Sequence, residues 1–500
     1  MKKEDSLKKR YSIKLLATVI SGLINAVLIA IVPKALGPVF YGQFVYLQDF
    51  FMKTIGFLDM GSSIAFFTKL SANHKRKELI GFYFFYSLIV LSLLIFFVYV
   101  SEALGILDQF FPNISSQYIY FGLFFGFLTW MGQIFIKISD AYALTVSVEL
   151  IKIIHKIVSL VLLIVFIYYL NFSLETYFYF HYISLVSLLM ILGWLFYRKK
   201  IFINNILMFI EHLKILIKEF YTYCSPLFTY NLLVIVAGIF DIWLLQKIAG
   251  SEQTGFYGLA YSLAAMCFVF SGAMTPIITR EFSKSFENKD LQKMKTLFYR
   301  YIPMLYSFAA FFALFLSAQS DNILAIFTDE NYTKAVVVLM IMALYPVHQT
   351  YGQLSGSIFY ATGQTKLMRN ISLFIQPLGM LLSLLLIYFF NLEATGLALK
   401  MIILQMIAVN IQLYFNAKFL NFKMKYFLLH QVYSLGIFAL LAYSATLFVS
   451  LGTPLLSFLF SGILYTIFVI IITYMFPQIF ALTKDEILQF KEKILSKIGK

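Results

Sequence analysis

Charge is what this chain has least of: Asp, Glu, Lys and Arg make up 13% of its 500 residues, against 61% hydrophobic residues and a mean hydropathy of +0.84. Soluble domains carry about twice that charge, so a soluble fold is excluded and a polytopic membrane protein remains. Cysteine is nearly absent. Cys224 and Cys267 stand alone in apolar runs, which leaves neither a disulfide framework nor a cysteine-based metal site. Long loops are missing as well. The longest external connection, near 101–116, is too short for a catalytic domain, so no catalytic residue and no metal ligand is assigned, and the chain is not read as an enzyme. The spacing G-x4-G at Gly37 and Gly42 mimics the start of a phosphate-binding loop. The Lys-Ser/Thr that should follow is absent and no strand precedes it, which excludes a nucleotide site.

Aromatic residues, by contrast, reach 19%, as suits rings placed at both membrane interfaces. The net charge of +15 would suit nucleic acid, but the basic residues fall in short loops between apolar runs, so the membrane accounts for them and no nucleic-acid partner is expected. A span needs about 20 mostly apolar residues. Windows of that length fall near 12–33, 39–60, 80–101, 117–138, 146–170, 175–197, 224–246, 255–278, 301–319, 335–360, 370–390, 394–416, 430–450 and 454–476. The stretch MKKEDSLKKR before the first window resembles a signal-peptide n-region, but the apolar run behind it is too long and lacks a clear cleavage site, so it is read as the first retained span. Fourteen spans put both termini on one side. With that side cytoplasmic, 31 of the 39 Lys+Arg lie in internal segments and only Lys34, Lys247 and Lys334 in external loops. A missed span would invert every later loop and spoil this bias. The expected protein is therefore an all-α, multi-pass membrane protein with cytoplasmic termini.

The second organising feature is a duplication. The turn K-x-x-G-x4-G-Q-F (Lys34, Gly37, Gly42, Gln43, Phe44) returns as K-x-x-G-x4-G-F-Y (Lys247, Gly250, Gly255, Phe256, Tyr257), and G-Q-I-F at Gly132 is echoed by G-S-I-F at Gly356. The copies lie six spans apart in the same orientation, the mark of a transporter built from parallel repeats. Gly37, Gly42, Gly250 and Gly255 are the expected hinge residues, most simply as tight interhelical turns. The division that follows is a first six-helix bundle over 1–197, an amphipathic linker helix on the inner surface over 198–223, a second bundle over 224–416, two further helices over 417–476 and a cytoplasmic tail over 477–500. The linker stripe is Ile206, Phe209, Ile210, Leu213 and Ile217. The tail opens on a capping box, Thr483 to Glu486, and places Ile487, Ile494 and Ile498 on one helical face.

Charges inside spans cost on the order of 2.5–3.5 kcal/mol each at the bilayer centre, so each needs a reason. Asp49 and Lys53 lie one turn apart in span two, close to the midplane, and either form a structural ion pair or line a water-filled cavity. Glu149, Lys152, His155 and Lys156 make one polar stripe on span five, or snorkel toward the inner surface. Asp241 and Lys400 sit nearer the outer face, where snorkelling and a cavity role are both open. Asp49, Glu149 and His155 are the candidate proton- or cation-coupling groups, with His155 equally readable as an ordinary hydrogen-bonded residue. No other cofactor is indicated. A cleft with partly cationic walls and Phe-rich flanks suits a phosphate-bearing headgroup carried on a lipid.

The order LGPVFYGQF, then Asp59-Met60-Gly61 closing span two, and YATGQTK after span ten (Ala361, Gly363) resemble the polysaccharide-transport proteins of the Wzx type, members of the multidrug/oligosaccharidyl-lipid/polysaccharide (MOP) exporter superfamily. Lys34 stands where that family often has arginine, and Gly250 is followed by Ser-Glu rather than proline. The resemblance implies a MATE-like fold and a flippase that moves undecaprenyl-diphosphate-linked oligosaccharide outward by alternating access, the diphosphate meeting Lys53 and Lys152 or Lys156. It implies membrane lipids, a polysaccharide polymerase and a chain-length regulator as partners, with the monomer as the working unit. A cation-coupled multidrug exporter and a lipid II flippase of the same superfamily are the alternatives.

Overall fold

The computed structural model describes residues 7–73, 76–201, 209–449 and 451–489. It is helical, with no strand among those residues. Among the described residues, twelve helical stretches are long and apolar enough to cross a membrane. Two of them are broken at a glycine, and the longer, at 40 residues, would measure about 60 Å unbroken, twice the hydrocarbon thickness, so it supplies two spans. The first, Ile20–Asp59, lies within α1 (Leu7–Asp59), which breaks at Gly37. The other, Asn231–Ala265, lies within α8 (Phe209–Ala265), which breaks at Gly250. Both glycines have positive φ with extended ψ (73°/165° and 82°/−177°), a region essentially closed to other residues. The fourteen expected windows thus fall on helix, the eighth only in part within α8, which ends at Ala265.

The chain divides into two compact units, Met1–Gly255 and Phe256–Lys500. In the first, the arms of α1 pack on α5 (Ser116–Ala141) and α6 (Thr145–Tyr169), and α5 packs on α7 (Leu174–Arg198). The second arm of α1 runs from the end that holds Leu107–Phe110 to the opposite end. Its Gln43 and Tyr46 bond to the carbonyls of Asn113 and Phe110, while Asp59 bonds near the start of α3 (Glu78–Ala103). Gly122 and Gly126 of α5 make this packing close: a Cβ on either would come within 2.8 and 3.0 Å of the Cβ of Leu47 and Phe51. Small residues four apart let helix backbones approach in this way. The outer face of α6 is apolar, exposing Ile154, Val158, Val161 and Val165, as a lipid-facing helix requires.

In the second unit, α10 (Leu291–Ala318) packs on α13 (Tyr345–Ala361) and α16 (Met424–Phe448), α13 on α15 (Glu393–Leu420), and α16 on α17 (Pro454–Met475). Tyr306, Tyr351, Leu354, Phe427 and Tyr465 are the centre of its core. Behind α17, the short turn Pro477–Phe480 seats on α10. The Ile479 carbonyl accepts from Ser307 and lies 3.0 Å from His430 Nε2.

Two expectations change. The 209–223 stretch is not a separate surface helix: it runs without a break into the seventh span. Its buried positions are Phe209, Leu216 and Phe220, with Phe209 on Phe85 and Phe220 on Phe82, while Ile210 and Ile217 are exposed. Aromatic packing against α3 outweighs the stripe chosen from sequence, whose Ile206 lies outside the described residues. The eighth span is also interrupted at Met266–Cys267, between α8 and α9 (Phe268–Glu287). The capping box forms as expected, with Thr483 N–H on Glu486 at 2.8 Å and Glu486 N–H on the Thr483 hydroxyl at 3.3 Å. Ile494 and Ile498 lie outside the described residues.

Candidate functional site

The duplicated turns meet each other. A Cβ on Gly42 would lie 1.7 Å from the Ser251 carbonyl oxygen, and one on Gly255 would lie 2.2 Å from the Pro38 carbonyl oxygen. The offset that aligns Gly37 with Gly250 also aligns Pro38 with Ser251 and Gly42 with Gly255, so the contact is reciprocal. The four glycines divide the labour. Gly37 and Gly250 supply the backbone conformation of the turn, whereas Gly42 and Gly255 sit in regular helix and supply closeness.

About 18 Å below Gly37 at helical rise, Asp49 and Lys53 form a 2.6 Å ion pair with 35% and 33% of their side chains accessible. Lys53 Nζ also donates to the Gly238 carbonyl of α8 at 2.8 Å. Gly238 makes that possible, because a Cβ there would lie 3.0 Å from Lys53 Cε. Sequence reasoning missed this glycine; its signal was a small residue in the span that faces the lysine. Asp241, one turn further along α8, is buried and close enough for its charge to act on Asp49, so it does not snorkel. The structure thus brings Asp49, Lys53 and Asp241 together on the facing sides of α1 and α8.

The stripe on α6 is split among neighbours. Lys152 reaches both oxygens of the buried Glu149 at 3.0 Å. Lys156 turns to the Ser21 carbonyl of the first arm of α1 at 3.2 Å. His155 turns the other way, with Nε2 2.9 Å from the Ser184 carbonyl and 3.0 Å from the Ser187 hydroxyl of α7. Lys400 belongs to the second unit. It is 3% exposed and runs alongside Gly379 of α14 (Thr365–Ser383), which rules out snorkelling to the surface.

A further cluster was only half legible as Asp-Met-Gly. Asp59 is buried and accepts from the hydroxyls of Ser62 (2.7 Å), Ser63 (2.8 Å) and Tyr83 (2.6 Å) and from the Ser63 N–H (3.0 Å), while Lys137 donates to the Ser63 hydroxyl. Met60 and Gly61 adopt positive φ, so the chain can end α1 and start α2 (Ser62–Ala72) over a single carboxylate. Beside it, Glu219 of α8 holds Lys69 at 3.2 Å and Arg76 at 3.1 Å. Burial alone would raise its pKa, but the hydrogen bonds from Arg76 and Lys69 outweigh that and hold it below the ordinary range.

A family model named MatE matches residues 226–385. No curated protein matches the chain. Among solved structures, the chain is similar to a lipid II flippase, MurJ, in an inward closed conformation, with a TM-score of 0.67 at 15% identity, covering 93% of this chain and 98% of that one. It is also similar to an inward-facing multidrug resistance MATE family transporter of the MOP superfamily, with a TM-score of 0.57 at 14% identity, covering 83% and 95%. An outward-facing MATE transporter gives 0.55 at 16% identity, covering 83% and 94%. The chain therefore has the fold of these membrane transporters.

Proposed function

We propose that the chain is a flippase carrying an undecaprenyl-diphosphate-linked oligosaccharide, an O-antigen, capsule or exopolysaccharide unit, from the inner to the outer leaflet of a bacterial inner membrane by alternating access. One observation carries the reading: Lys53 is a mid-span cation that remains one-third accessible and is aimed by the Gly238 carbonyl. Paired with Asp49 it is tolerable in the bilayer, and a phosphate oxygen can replace the carboxylate as its partner. Lys152 is about one-third accessible as well, but releasing it would strand the buried Glu149, so Lys53 is the more readily exchanged of the two. The intramembrane set, Lys53, Lys152, Lys156 and Lys400 against Asp49, Glu149 and Asp241, leans toward an anionic cargo. Similarity to a lipid flippase over 93% of the chain supports a lipid-borne one. Asp49 and Glu149 are the carboxylates through which a proton or sodium ion would couple. The released unit would pass to a polymerase and chain-length regulator.

The match to MatE over 226–385 favours a second reading, a cation-coupled multidrug exporter, which drug efflux in a sensitised host separates from the first. Lipid II transport is separated by rescue of cells depleted of their own lipid II flippase. For the main reading, Lys53→Ala is expected to abolish surface polysaccharide while membrane insertion stays normal, and Lys53→Arg to retain part of it. Normal export by a well-inserted Lys53→Ala variant rejects the assignment.

A further inference from the structure

At the end of the first unit that holds the short helix α4 (Leu107–Phe110), a hollow of about 350 Å³ lies between the second arm of α1, α4 and α8. Its lining includes Phe50, Phe110, Val236, Phe240, Trp243 and Lys247. Positions 236, 240, 243 and 247 recur at helical spacing, so one face of α8 supplies most of the lining. Trp243 is fixed by a 2.7 Å bond from its Nε1 to the Gln109 carbonyl. The Lys247 ammonium stands 4.8 Å from the centre of that ring. Among the described residues no carboxylate lies within ion-pair distance of it.

We infer that this hollow binds one anionic glycerophospholipid of the adjacent leaflet, its phosphodiester on Lys247 and one acyl chain along Phe50, Phe110, Val236 and Phe240. An interfacial lysine that merely snorkels needs no seat. This one is stacked over an anchored indole above an apolar hollow, the arrangement that holds a lipid by both its parts. Charge count selects the headgroup, since one ammonium balances the single negative charge of a phosphodiester, whereas a diphosphate calls for more than one cation. The feature is also specific to this copy of the repeat: at the offset that pairs Lys34 with Lys247, Ala30 stands in the place of Trp243. Neither Asp49 nor Lys53 lines the hollow, and the site stands whether or not the proposed cargo is correct.

Bromine on an acyl chain quenches tryptophan on contact, and the chain has only three Trp. Trp194→Phe removes the exposed one, and the buried Trp130 adds a constant background. In phosphatidylcholine vesicles doped equally with brominated phosphatidylglycerol or brominated phosphatidylethanolamine, the glycerol lipid should quench with about a fivefold preference, the scale set by one lysine against an anionic headgroup. Lys247→Ala should abolish the preference, Lys247→Arg keep it, and Val236→Trp, read by loss of co-purified phosphatidylglycerol, fill the hollow. Equal quenching by both lipids, or a preference that survives Lys247→Ala, overturns the site. So does recovery of fluorescence on adding a few mole per cent of undecaprenyl diphosphate, which would make the occupant a carrier lipid.

Discussion

Replacing Gly42 with alanine puts a methyl carbon 1.7 Å from the Ser251 carbonyl oxygen and 2.8 Å from the Gly255 nitrogen. Ordinary carbon–oxygen contacts begin near about 3.3 Å, so the two turns must separate by roughly 1.5 Å. Both obstructing atoms are backbone in regular helix, so no rotamer change relieves the clash. Overpacking of this kind costs typically about 1–3 kcal/mol and occasionally more, and the absence of a yielding side chain places this case at the upper end. Gly22→Ala is the control: it lies in the same helix and its Cβ meets nothing within 4 Å, so it should be neutral or gain up to about 1 kcal/mol of helix propensity. Gly255→Ala should resemble Gly42→Ala, because its Cβ lies 2.2 Å from the Pro38 carbonyl oxygen. The double variant should lose less than the sum, since turns already pushed apart have room for the second methyl. Unfolding midpoints of the purified proteins in one detergent, followed by tryptophan fluorescence, read all four. A Gly42→Ala protein that melts with Gly22→Ala, or strict additivity of the pair, refutes the reciprocal seam.

Asp59→Ala should lower the same unfolding midpoint sharply. It leaves the buried hydroxyls of Ser62, Ser63 and Tyr83 without their shared acceptor, at about 1 kcal/mol or more each, and Asp59→Asn should recover part of the loss. Glu486 is pulled down to about 2, first by its hydrogen bond from Arg300 and then by the Thr483 backbone. Its native pKa is depressed, so the docking it contributes is complete above the ordinary carboxylate range near about 4.3 and is lost as pH falls toward 2. Pepsin should therefore spare the 476–489 segment at pH 4 and cut it as pH approaches 2. Cutting of Glu486→Gln at pH 4 no faster than that of the parent chain would disprove the link.

Span count and turn positions were legible because both rest on one-dimensional signals: apolar run length, the side preference of Lys and Arg, and glycine at a fixed offset. Asp49 with Lys53 and Glu149 with Lys152 were legible because helical spacing alone puts each pair within reach. What escaped depends on partners distant in sequence. Gly238 matters only because Lys53 crosses to α8, and Asp59 gathers Tyr83 from another helix. His155 and Lys156 are neighbours in sequence, yet they serve different helices, since adjacent helical positions diverge by about 100°. The 209–223 stretch misled for the opposite reason: its periodicity was real, but Phe82 and Phe85 chose which face to bury.

The duplication preserves the skeleton and not the chemistry. At the offset that aligns the glycine turns, Asp49, Lys53 and Asp59 correspond to Ser262, Met266 and Gly272. Met266 falls where the helix is interrupted before α9, whereas the second arm of α1 passes Lys53 without a break. Carrying charge at mid-bilayer is expensive, so a copy without the use has no reason to keep it, and the charges in the first copy each have an identifiable partner. Those partners are of two kinds. Asp59 is 9% exposed and saturated by hydroxyls and a backbone N–H, so exchanging any one of its bonds strands a buried group. Asp49 and Lys53 are each about one-third accessible, so either can take a new partner while water covers the change. Asp59 is then the fixed anchor at the end of the arm and Asp49–Lys53 the exchangeable pair at its middle. Under the proposed function, loss of Asp59 should register first as lost stability and loss of Lys53 first as lost transport.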